Sequence, residues 1–167
     1  FPWVQVPAGE IGVVIAQVGH ELPIGAKSAI YKPVFGNFSH LESFLQNGGQ
    51  KGVQRPVLPP GTLVPVHPVA FLVITRRQVY GIPVSGQFEL LRGQRTLTPE
   101  AFGLKPPQLE LTRIQPHATE EHGKVLDTIG IVTTFEGDPL PSGDIACRLG
   151  GFSDAEKMEH DGLSDAE

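Results

Sequence analysis

The stretch GEIGVVIAQVGHELPIG, Gly9 to Gly25, returns 118 residues later as DTIGIVTTFEGDPLPSG, Asp127 to Gly143. Seven of the seventeen aligned positions are identical without a gap: Ile11/Ile129, Gly12/Gly130, Val14/Val132, Gly19/Gly137, Leu22/Leu140, Pro23/Pro141 and Gly25/Gly143, with Val13/Ile131 a conservative eighth. The apolar residues of Ile11 to Val18 are mostly β-branched and bounded by glycines, the pattern of a short buried strand. Leu22-Pro23-Ile24-Gly25 then reads as a turn, the proline fixing φ and the glycine free to take φ > 0. The repetition predicts two superimposable strand-turn units with Ile11, Val13, Ile129 and Ile131 buried, and a positive φ at one or both of Gly25 and Gly143. What recurs sets turns and fills cores, which favours a structural or assembly module over an enzyme.

Working outward, Ser28 to Val34 reads as a second extended piece. Ser39 stands three residues before Glu42, a capping-box spacing that predicts a short helix start. Phe38, Leu41, Phe44 and Leu45 then share a face, and Asn47-Gly48-Gly49 supplies a left-handed stop. Thr62 to Thr75 and Val79 to Leu91 carry strand-like runs interrupted by Pro65, Pro68 and Gly81-Ile82-Pro83, which places those prolines at edges or bends. From Gly93 to Gly123 the pattern dissolves around one strand candidate, Leu109 to Ile114. The expected division is a first unit over 1–95, a proline-rich insertion or linker over 96–123, and the start of an incomplete second unit over 124–167. The fold class is α+β: β-rich and turn-rich, with one short packing helix.

Composition narrows the function classes. The 167 residues are 40% hydrophobic, ordinary for a chain with a packed core, and 20 glycines with 16 prolines favour strands and turns over long helices. The net charge of −5 conceals a division: residues 1–95 hold eight Lys/Arg and four Asp/Glu, residues 96–167 five and fourteen. The basic half suggests a face for anionic lipid or for a neighbouring acidic surface. Arg76, Arg77, Arg92 and Arg95, which close that half, are the candidate lipid or subunit contacts. Too few basic residues cluster for nucleic acid. No apolar run approaches the ~18 residues of a membrane span. Phe1-Pro2-Trp3-Val4 nevertheless resembles the composition of a membrane-interface exit, and both ends of the chain read as cut.

Residue types that carry chemistry form few constellations in this chain. Cys147 is the single cysteine, which excludes an internal disulfide and a multi-cysteine zinc site. His117 and His122 are five apart and do not form the HExxH arrangement. Gly48-Gly49-Gln50-Lys51-Gly52 has the composition of a phosphate loop but follows its helix instead of preceding one, so the dipole points the wrong way. Two S-x-x-E boxes, at Ser153 to Glu156 and Ser164 to Glu167, read as acidic helix starts. The expectation is no catalytic residue, no cofactor and no metal.

Taken together, Val6-Pro7-Ala8-Gly9-Glu10-Ile11-Gly12-Val13-Val14, Leu22-Pro23-Ile24-Gly25, Ser43 to Gly52 and Leu58-Pro59-Pro60-Gly61-Thr62 resemble the N-terminal part of bacterial flotillin-like proteins of the stomatin/prohibitin/flotillin (band 7, or SPFH) superfamily. The resemblance covers about residues 4–75, and Asp127 to Gly143 resembles the start of the same unit. It implies a band 7-like domain of a scaffold at the bacterial cell membrane, one that forms homo-oligomers, contacts membrane lipids and organises membrane proteins or proteases. It implies no catalytic residue. A soluble β-rich module that binds a peptide or small ligand is the alternative.

Overall fold

The computed structural model describes residues 2–94, 96–118, 124–133 and 142–143. The chain divides into two units, Phe1–Ile131 and Val132–Glu167. The first contains every described element: β1 Trp3–Gln5, β2 Val13–Ala16, helix α1 Leu41–Gln46, β3 Gly52–Val53, β4 Leu63–Pro65, β5 Phe71–Ile74, β6 Val79–Tyr80, β7 His117–Ala118 and β8 Val125–Leu126. Four short 3-10 helices punctuate them, at Pro33–Phe38, Gly86–Leu91, Pro99–Phe102 and Pro106–Leu109. Helices and small sheets in one unit make the fold α+β.

A four-stranded antiparallel sheet in the order β3-β2-β5-β6 forms its centre, with β1-β4 and β7-β8 as separate two-stranded ribbons. Side chains alternate across a strand, and both faces of this sheet are covered. Val14 and Ala16 of β2, opposite Val73 and Phe71 of β5, look into a cluster with Val4, Val6, Leu58, Phe35, Phe38 and Phe44. On the other face Ile15, Leu72 and Ile74 meet Leu109, with Phe88 and Phe102 packed at the margin. β5 is therefore buried along its whole length, which explains why it reads as four consecutive apolar residues instead of an alternation.

α1 forms where expected, but not by the expected cap. Ser39 turns its hydroxyl back to Gly36 O, and the helix begins after His40 without a side-chain cap. The stop follows the sequence reading: Gly48 takes φ +77, Gly48 N donates to Leu45 O and Gly49 N to Phe44 O at 2.8 Å, the paired bonds of a Schellman motif. Gly36, Asn37 and Phe38 all sit at positive φ before the helix. A phenylalanine is strained there; its ring is held in place by Tyr31, Phe44 and Phe71, with centroids 5.5 to 6.3 Å away.

Other expectations are corrected. Gly86–Leu91 is 3-10 helix, not strand. Residues 99–111, read within the linker, are packed into the first unit beside residues 9–11: Leu109 is fully buried, Ile11 N donates to Leu109 O, Leu111 N to Gly9 O, and Glu10 and Glu110 form an antiparallel bridge. The repeat is not structural where both copies are described. Val14 is fully buried and Ile11 and Val13 pack at the core margin, whereas Ile129, Ile131 and Val132 are more than 80% exposed and carry no strand. The cause is pairing: β2 lies between β3 and β5, and no described residue pairs with 129–133. Gly12 and Gly130 differ likewise, a Cβ at Gly12 meeting Val6, Leu58 and Val73, one at Gly130 only Ile114. The turn reading survives, with φ +90 at Gly25 and +98 at Gly143. Pro141, Arg95, Cys147, His122 and both terminal S-x-x-E boxes lie outside the described residues.

Candidate functional site

Gln17, directly after β2, is buried and saturated. Its Nε2 donates to Val69 O and Ile82 O, each at 2.8 Å, while its Oε1 accepts from Val84 N at 2.8 Å and Ser85 N at 3.1 Å. One side chain thus fastens the segment after β6 to the loop before β5. Gly81 makes the bend that delivers this segment: its φ is +99, and a Cβ there would lie 2.4 Å from Phe71 O. The chain returns through Gly86–Leu91, and the Arg92 guanidinium donates to Val84 O. Between the outgoing wall (Val79, Gly81 to Val84) and the returning one (Leu91 to Gln94, Leu97) lies a cleft of about 810 Å³. That volume falls in the range of ligand pockets, about 300–1,000 Å³.

Of the four marked arginines, Arg95 lies outside the described residues, and the other three have different surroundings. Arg76 and Arg77 are the two loop residues of the β5–β6 hairpin. Arg76 Nε lies 2.7 Å from Glu110 Oε1, and Arg77 Nε lies 3.7 Å from Glu10 Oε1. The two charges thereby reach the two residues of one antiparallel bridge, Glu110 and Glu10. Glu10 is 5% exposed, and its Oε2 has no hydrogen-bond partner among the described residues, so Arg77 is the compensation for a nearly buried carboxylate. Arg92 differs: no carboxylate among the described residues is within ion-pair distance of it, and it stands at the cleft.

A second surface lies on the β1-β4 ribbon. Trp3 pairs with Pro65, Val4 with Val64 and Gln5 with Leu63, so Trp3, Pro65, Gln5 and Leu63 share one side. Val4 points into the core at 0% exposure, while Trp3 is 60% and Leu63 58% exposed. Two large apolar side chains therefore stand in solvent next to a proline, on a ribbon whose other side anchors it.

The remaining candidates are structural. In the Gly48–Gly52 loop Lys51 pairs with Glu21 at 2.7 Å, His20 N donates to Gly49 O, and a Cβ at Gly49 would lie within 2.6 Å of the Phe44 ring. Its glycines allow close packing and turn geometry. His67 accepts from Val69 N and Ala70 N through Nδ1, which orders the approach to β5. Among the described residues no group of three His, Cys, Asp or Glu is placed to hold a metal, and no helix is long and apolar enough to cross a membrane. Gln17 and Glu10 escape sequence reading: both lie in the repeated stretch, but neither is one of its identical positions, and their importance comes from burial. No family model, curated protein or solved structure matches the chain.

Proposed function

We propose that this domain is a membrane-surface scaffold, of the kind implied by its resemblance to flotillin-like proteins, and that it assembles with copies of itself. The observation that carries the reading is the Trp3–Leu63–Pro65 face, an exposed apolar patch at the N-terminal ribbon. Trp is favoured at the level of lipid headgroups, where its ring is apolar and its N–H remains wet. Removing a large apolar side chain from water contributes about 1.5–3 kcal/mol when complete, so two such residues suffice for weak, reversible attachment that oligomerisation multiplies. The basic cluster enters this reading in reduced form, since Arg76 and Arg77 are engaged by carboxylates of the same unit.

Flotation with vesicles containing anionic lipid tests the reading. The native chain is expected to float with the vesicles, and the double variant Trp3→Ser, Leu63→Ser to remain in the soluble fraction with an unchanged melting temperature. Equal flotation of both proteins, or of neither, would contradict it.

A further inference from the structure

The hairpin geometry leaves part of the central sheet open at β6. Thr75 N and Thr75 Oγ1 both donate to Gln78 O, at 3.0 and 2.9 Å, so Thr75 and Gln78 are the bonded pair closing the Arg76-Arg77 turn. Bonded and non-bonded pairs alternate along an antiparallel ladder. Ile74 opposite Val79 is then the non-bonded pair, and the Val79 N–H and C=O point away from β5. β6 is the last strand on that side, and Val79 and Gly81 line the cleft described above. An edge strand with outward backbone groups is a template for another strand. Here that edge runs beside apolar walls formed by Ile82, Val84, Leu91 and Leu97, with the Arg92 charge unmatched by any described carboxylate.

We propose that the cleft beside β6 binds an extended peptide segment of a partner protein, added as a fifth strand to the β3-β2-β5-β6 sheet, with a carboxylate of that segment on Arg92. Ladder bonds to Val79 give affinity that is indifferent to sequence, the apolar walls take alternate side chains, and Arg92 selects acidic over basic segments. Gln17 and Gly81 hold the outer wall in place, so the groove exists before the peptide arrives. The proposal does not rest on the membrane reading and is tested without lipid.

The probe is a set of octapeptides in which Val or Ile alternates with Thr and one Thr position is varied as Asp, Asn or Lys, titrated against the full chain labelled for amide NMR. Acidic members are expected to shift and protect the Val79 and Gly81 amides, with a preference for Asp over Lys on the order of tenfold. Arg92→Glu should reverse that preference, with its own spectral changes confined to the surroundings of Val84 and position 92, where the guanidinium bond to Val84 O is lost, and N-methylation of alternate peptide amides should abolish binding. Absence of binding by every member at about 1 mM, a level that detects even millimolar affinity, would overturn the proposal. So would an unchanged preference in Arg92→Glu. Protection of Val79 that rises with protein concentration alone would mean that a second copy fills the edge, and would likewise overturn it.

Discussion

Single residues differ in how firmly the fold requires them, and the glycines show this most simply. Gly25 and Gly81 both take positive φ, but a Cβ at Gly25 meets open space while one at Gly81 meets Phe71 O at 2.4 Å and Pro68 O at 3.0 Å. Gly25→Ala should therefore cost only the left-handed penalty, roughly 1–2 kcal/mol. Gly81→Ala adds a backbone clash that no rotamer relieves, and its loss in denaturant melts should clearly exceed that of Gly25→Ala; equal losses would contradict this geometry. Gln17→Leu keeps approximate volume but strands two N–H and two C=O groups. It loses four part-buried hydrogen bonds at once, each worth about 0.5–1.5 kcal/mol, so it should be clearly destabilising, and amide exchange at Val84 and Ser85 should accelerate. The glycine turns were legible because proline and glycine carry their dihedral preferences in their covalent structure. Gln17 was not legible, since a glutamine becomes a clamp only when burial brings four backbone groups to it.

Among elements, legibility follows pairing. β2 and β5 could be read from their apolar runs because each is enclosed on both faces, and α1 could be read from its glycine stop. Gly86–Leu91 could not, since Phe88, Leu90 and Leu91 read equally well as strand or as a short tight helix. The 129–133 stretch has the letters of β2 without its neighbours, and its side chains stay in solvent. Residues 99–111 show the converse: a proline-rich segment without periodicity carries Leu109 into the core and is tied down by backbone bonds to Gly9 and Ile11 and by the Arg76–Glu110 ion pair. The Arg76–Glu110 pair is half-exposed and should contribute no more than about 1 kcal/mol. Arg77→Gln removes the counter-charge of the nearly buried Glu10 and should destabilise more than Arg76→Gln does. A double-mutant cycle with Glu10→Gln checks this, the loss in Arg77→Gln being largely recovered in the double variant. Farther along the same segment, a backbone hydrogen bond and the Thr98 side chain hold the Glu100 carboxyl below the usual glutamate range. Its contribution to stability is present above the ordinary glutamate pKa of about 4.3 and is lost as pH falls through the lower folded value. Glu100→Gln should flatten that acid-side loss in melts recorded from pH 5 downward.

At the scale of the whole molecule, the three described arginines of the marked four do not share one set of surroundings. Arg76 and Arg77 pair with carboxylates of the first unit, Arg92 stands at the cleft, and Arg95 lies outside the described residues. Substituting all four with glutamine is accordingly expected to lower the melting temperature through Arg77, so it does not isolate surface binding. The apolar surface that carries the proposed reading is Trp3 and Leu63 beside Pro65, on a ribbon anchored by Val4. Trp3 is the chain's sole tryptophan, so the intrinsic emission of the native protein reports on that face alone. In buffer the emission should resemble that of a largely solvent-exposed indole. On titration with vesicles containing anionic lipid it should move to shorter wavelength, with protection from aqueous quenchers, and the change should be lost in Leu63→Ser. An emission maximum and quencher access that stay constant through the titration would contradict the membrane-surface account.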